Sequence, residues 1–124
     1  MISGSTLILT KKGWKPISSL KEGMIVASPR GYYCKIKKIH RVKNFKNKLF
    51  IIRKGAIGPD KPTGPIYITG NHRYYHHRLG KPKVPSKTIK AIYNPSKPVT
   101  LYNIELKNHN DTLFANKMVI DSFR

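Results

Sequence analysis

The chain has 124 residues, is 39% apolar, and carries 25 Lys and Arg against five acids, a net charge of +20. That length fits one domain with a small but real core. No apolar run is long enough to span a bilayer, the N-terminus lacks the charged and apolar regions of a secretory leader, and a lone Cys34 excludes an internal disulfide.

The first extended stretch is TLILT, Thr6 to Thr10. Lys11-Lys12-Gly13 turns the chain into Trp14-Lys15-Pro16-Ile17, an edge or a bend, because Pro16 has no N–H for a ladder. Ser18 to Glu22 predicts one helical turn capped by a serine and stopped by Gly23. Met24 to Ser28 is a second strand, and Pro29-Arg30-Gly31 a turn. Tyr32 to Val42 alternates imperfectly, with Tyr33, Ile36 and Ile39 assigned to the core. Leu49 to Arg53 is a clear strand, and Gly55 to Gly64 a loop or broad hairpin tip. Ile66 to Thr69 is again a strand, followed by a sharp bend at Gly70-Asn71, where Gly70 is expected at positive φ. Tyr74 to Lys90, basic and interrupted by Pro82 and Pro85, has no helical period and reads as irregular, mobile or ordered by a partner. Lys90 to Tyr93, Val99 to Leu106 and Thr112 to Ile120 complete the strands, with Asn108-His109-Asn110-Asp111 as a turn. Short strands with turn signals about every eight to twelve residues predict a single all-β domain over 1–124.

Thr69 and His72 flank a two-residue turn, so hydroxyl and imidazole can face one point, where such a pair polarises a peptide bond and moves a proton. The plainer alternative is a strand-closing threonine and an ordinary surface histidine. His72, His76 and His77 lie close in sequence, but Arg73 and Arg78 flank them and no acid is near, so no metal site and no cofactor are expected. Cys34 has no neighbouring histidine and reads as a buried or inert thiol.

The charge needs a partner. One basic run comprises Lys35, Lys37, Lys38, Arg41, Lys43, Lys46 and Lys48; a second holds Arg73, Arg78, Lys81 and Lys83 with Tyr74 and Tyr75 interleaved. Those two tyrosines either stack on bases or tuck into the core. No sequence-reading motif is present, so nucleic-acid contacts would fall on phosphates. The expected partners are a polyanion such as nucleic acid or acidic protein surfaces in an assembly, with no membrane and no small-molecule substrate. The protein is expected to be soluble and intracellular, in the cytoplasm or within a virus particle.

The opening ISGSTLILTKKGWKPISSLKEGMIVA resembles the start of the Hint domain, the module shared by inteins and hedgehog C-terminal regions. Gly4-Ser5-Thr6, Leu7 to Thr10, Gly13, Ile17 to Leu20 and Gly23 match its first block in order. ITGNH matches the family's Thr-x-x-His at Thr69 and His72, and Tyr102, Ile104, Leu106, Phe114, Ala115, Asn116 and Met118 to Ile120 fit its closing blocks. The resemblance implies a compact all-β Hint fold and an acyl shift begun by a Cys or Ser at the first position. Here that position is Met1, whose thioether is not an acyl nucleophile. The closing His-Asn of the family falls on Asp121 and Ser122, the downstream nucleophile on Phe123, and the Gly-Asp of the second strand on Gly23-Met24. The expectation is a catalytically inactive Hint-like domain in which Thr69 and His72 are remnants with structural jobs. It would be reused as a strongly basic interaction module, for example a minor component of a virus capsid. The alternatives are a non-specific nucleic-acid-binding protein and a residual self-cleaving enzyme.

Overall fold

Ile, Val, Leu and Thr fill many short runs such as Leu7 to Thr10, Leu49 to Ile52 and Met118 to Ile120, and β-branched residues fit best on a pleated surface. The computed structural model describes residues 1–77, 80–108 and 111–123, and it is nearly all β. The strands are β1 (Ile2–Ser3), β2 (Leu7–Thr10), β3 (Gly13–Pro16), β4 (Ile25–Ala27), β5 (Tyr33–Phe45), β6 (Leu49–Ile52), β7 (Ile66–Ile68), β8 (Tyr74–Tyr75), β9 (Ile92–Tyr93), β10 (Val99–Leu106), β11 (Thr112–Ala115) and β12 (Met118–Asp121). Helix among the described residues is limited to a 3-10 turn at Ile17–Ser19 and α1 (Pro85–Thr88).

The strands form one curled antiparallel sheet in the order β8-β12-β11-β2-β4-β5-β10-β1-β7-β6-β9, with β3 on the other side of β2. The 13-residue β5 carries the curl: its start pairs with β4, at Val26 and Cys34, and its remainder with β10, from Ile36 opposite Leu106 to Phe45 opposite Val99. Inside lie Ile2, Ile8, Val26, Ile36, Ile66, Ile68, Ile104, Leu106 and Ile120, all buried in one core. Each such side chain contributes roughly 1.5–3 kcal/mol relative to exposure. The opening and closing segments meet through β2, which pairs with β11; β11 pairs with β12, and β1 sits between β10 and β7.

Several local expectations change. Tyr33 is 59% exposed and not in the core; Cys34 takes the inward place, so the alternation runs Cys34, Ile36 inward and Tyr33, Lys35 outward. Thr112 to Ile120 is not one strand but a hairpin, because Asn116 and Lys117 adopt φ of 48° and 68°, the pair of left-handed residues that a two-residue hairpin turn needs. The helical turn begins at Ile17, behind Pro16, without a side-chain cap; the Ser19 hydroxyl instead donates to the Pro16 carbonyl at 2.8 Å. Gly70 is absent from the positive-φ glycines. What it supplies is space, since a Cβ there would meet Phe50 Cε1 at 2.9 Å and Ser86 Cβ at 3.1 Å. Tyr74 to Lys90 is less irregular than its composition implies: Tyr74 and Lys83 exchange backbone hydrogen bonds at 2.9 and 2.8 Å, and Pro85 opens α1, where its missing N–H costs nothing. His109 and Asn110 of the expected final turn lie outside the described residues.

Candidate functional site

β1 and β7 pair at Ile2 and Ile68, which sets Met1 beside Thr69, the first residue past β7. The Thr69 N–H donates to the Met1 carbonyl at 3.0 Å. The turn that follows is closed by the His72 N–H on the Thr69 carbonyl at 3.2 Å, and it carries the imidazole back over the same point. The Met1 nitrogen donates to Thr69 Oγ1 at 3.0 Å and lies 2.5 Å from His72 Nδ1.

The other ring nitrogen settles the tautomer. His72 Nε2 is 2.9 Å from the Asp121 carbonyl, which can only accept, so Nε2 carries the proton and Nδ1 turns its lone pair to Met1. Burial, and then the charge of the Met1 amine, lower the His72 pKa to about 3, while burial lowers that amine to about 5. At neutral pH the imidazole is therefore an acceptor and not a proton source.

Asp121 is fixed from two sides. Arg73 Nε donates to Oδ2 at 2.6 Å, and the Tyr75 hydroxyl donates to Oδ1 at 2.7 Å. The Ser122 hydroxyl points away to the Asp111 carbonyl at 2.7 Å. Phe123 donates its N–H to the Ile104 carbonyl at 2.7 Å and stacks on His40, with ring centres 3.7 Å apart. An open cavity of ≈ 470 Å³ lies over these groups, lined by Met1, Thr69, His72, Asn103, Asp121 and Ser122 among others. The arrangement can polarise a bond at the Met1 nitrogen. The side chain it offers there is a thioether.

No family model matches the sequence, and no curated protein matches it. Solved structures do match the fold. The bacterial intein-like domain from Clostridium thermocellum superposes with a TM-score of 0.77 at 18% identity, over 98% of this chain and 97% of that one. The gp41-1 intein gives 0.66 at 19% identity over 96% and 95%. A DnaB intein from Synechocystis gives 0.68 at 14% identity over 99% and 98%. The chain has the intein fold. In that fold the closing hairpin, β1 and the turn after β7 converge, which is why residues as distant in sequence as Met1, His72 and Asp121 meet.

The remaining residues singled out in the sequence scatter over this intein fold. Lys35, Lys37, Lys38, Arg41 and Lys43 lie exposed on β5, with Lys46 and Lys48 in the turn to β6. Lys37 pairs with Glu105 at 3.3 Å, and Arg41 lies over the Tyr102 ring at 5.8 Å. Arg73 is drawn to Asp121. Lys81 and Lys83 are exposed near β8, at one end of the sheet order, and so are not continuous with β5; Arg78 lies outside the described residues. Of the two readings for Tyr74 and Tyr75, the inward one holds: Tyr74 is buried with its hydroxyl on Thr88 at 2.7 Å, and Tyr75 serves Asp121. Cys34 is buried. His76 and His77 line a second cavity of ≈ 370 Å³ with Lys61 and Lys117. Among the described residues no group of three His, Cys, Asp or Glu is placed to hold a metal ion.

Two hubs had no reading in the sequence. Asp111, buried, accepts from the Ser28 hydroxyl at 3.0 Å and the Tyr32 hydroxyl at 2.6 Å. Glu105 accepts from Lys37 and hydrogen-bonds His40 Nε2 at 2.8 Å, contacts that hold its carboxyl below the usual range, His40 contributing most. Both link residues far apart in sequence, where no local pattern speaks. A third, Asn116, enters the sequence reading only as a match to the closing Hint-like block inside the expected strand Thr112 to Ile120, and its turn is seen only in the structure.

Proposed function

We propose that this chain is an intein-fold domain that no longer processes itself and acts as a positively charged binding module. The carrying observation is where the acids are. Asp111 and Asp121 are buried and Glu105 is tied to Lys37 and His40. Among the described Lys and Arg, only Lys37 and Arg73 have a carboxylate within 4.0 Å. Of the five acids only Glu22 and Asp60 stand exposed, so the surface carries many more cations than anions, and such a field recruits anionic partners. The partner class is an acidic protein face within a large assembly such as a virus capsid, or nucleic acid.

Three features support loss of processing. The first side chain is a thioether, Ser122 has no amide to cyclise, and its hydroxyl is committed to Asp111. The contact of Thr69 and His72 with the Met1 nitrogen favours a second reading, residual self-cleavage. One experiment separates them. A folded reporter is fused ahead of Met1 and another after Arg124, and the fusion is incubated with and without dithiothreitol. One intact band in both lanes is expected; thiol-dependent release of the upstream reporter would establish the second reading.

A further inference from the structure

We propose that the outer face of β3, β2, β4 and the start of β5 is a platform for single-stranded nucleic acid, on which Trp14 and Tyr33 stack bases while Lys11, Lys35 and Lys107 hold phosphates. This rests on the reading of the chain as a basic binding module and names its partner and its face.

The register builds the platform. Directly opposed residues of an antiparallel pair share a face. Thr10, Val26 and Cys34 are opposed in a buried row across β2, β4 and β5. Their chain neighbours therefore point outward. Trp14 is opposite Leu9, and Tyr33 is opposite Ala27. Beside this row runs a cationic one: the Lys11 N–H donates to the Ile25 carbonyl at 2.9 Å, Ile25 is opposite Lys35, and the Lys107 N–H donates to the Lys35 carbonyl at 3.1 Å. Lys11 Nζ lies 5.5 Å from the centre of the Tyr33 ring, so the two rows touch.

Tyr33 is 59% and Trp14 39% exposed, and with Leu9 and Ala27 they form one row on a shared face, so the informative feature is a contiguous partly apolar strip beside a cationic row. Three strand spacings separate the rings by about 14 Å, with apolar Leu9 and Ala27 as the floor between. No Asp or Glu lies on β2, β3 or β4 or among the first residues of β5. An acidic protein face would answer the lysines but makes no specific use of two partly exposed rings. A duplex answers the lysines but hides its base faces. An unpaired strand answers both, since every base has a π-face and every nucleotide a phosphate.

Trp14 is the only tryptophan, so indole fluorescence reports on the platform. The full chain is titrated at low salt with oligothymidylate, with a duplex of equal charge, and with polyglutamate, and binding is followed in parallel by anisotropy of the labelled polymer. The expected result is saturable quenching of Trp14 by the single strand, with log affinity falling by about 0.7 per phosphate per decade of salt. Tyr33→Ala should weaken binding about tenfold and Tyr33→Phe should not, because the ring is what is used. Lys35→Gln should reduce the salt slope. Tight oligothymidylate binding without quenching, and unaffected by Tyr33→Ala, would overturn the platform while leaving the basic-module reading intact. Preference for polyglutamate or for the duplex would also overturn it. Failure of all three polymers to bind at low salt would overturn both readings together.

Discussion

The Asp121 carbonyl oxygen accepts the Nε2–H of His72 at 2.9 Å, joining the closing hairpin to the turn after β7. This bond aims the Nδ1 lone pair at the Met1 nitrogen and holds the ring in a buried, neutral form.

The pH dependence of stability follows. Burial lowers the Met1 amine from 8.0 to about 5 and His72 from 6.5 to about 3. In the unfolded chain these groups take up protons as pH falls below 8.0 and 6.5; in the folded chain they resist until about 5 and about 3. The unfolded state thus binds more protons across that range, so stability should decline from pH 8 to pH 5 and go on declining toward pH 3. Glu105, held below 4.5, adds a further loss only at the acid end. Thermal melts of the parent and of His72→Gln check this: the parent should lose melting temperature between pH 7 and 5, and the variant should lose less. A flat parent profile would contradict the buried neutral pair.

Restoring a nucleophile tests the geometry at Met1. Met1→Cys places a thiol beside the bond that Thr69 and His72 face. In the double-reporter fusion this variant should release the upstream reporter with dithiothreitol, and adding His72→Ala should slow release about 100-fold. No release from Met1→Cys would mean that the centre has lost more than its nucleophile.

Gly70→Ala should destabilise the domain by about 1–3 kcal/mol in urea, because the new methyl meets the Phe50 ring and Ser86 inside contact distance. Neutrality would show that Phe50 moves aside freely.

Asn116 is both a turn residue and a tie. Its Oδ1 accepts the Leu7 N–H at 2.8 Å, its Nδ2 donates to the Gly64 carbonyl at 3.2 Å, and its φ is 48°. Asn116→Gly keeps the backbone freedom and loses the side-chain bonds, at about 2 kcal/mol. Asn116→Ala loses both and should be about 1–2 kcal/mol worse again. Equal stability of the two variants would remove the turn from the account.

Most of the strand set was legible in the chain, because alternation and Gly, Pro and Asn punctuation are local signals. Val99 to Leu106 appears with the same bounds in the structure, and Ile66 to Thr69 differs by one residue. The differences concern facing and turn placement. The imperfect alternation of Tyr32 to Val42 puts Tyr33 in the core, yet pairing with β4 buries Cys34 against Val26 and turns Tyr33 outward. Thr112 to Ile120 reads as continuous because Asn116-Lys117 lies within otherwise strand-forming residues.

The sequence by itself determined the charge, the all-β class, the Thr69-x-x-His72 pair and the thioether at the first position, since each is a property of composition, period or a single residue. Only the tertiary structure decided what those residues face. Three of the five acids, Asp111, Asp121 and Glu105, are tied up in internal bonds, the His72 tautomer is set by a carbonyl on the last strand, and the outward row of Trp14 and Tyr33 exists only because four strands pair in one register. The physical reason is that burial and hydrogen bonding between residues far apart in sequence depend on which strands are neighbours. A period of two gives each strand two faces, and the rest of the fold decides which one is covered.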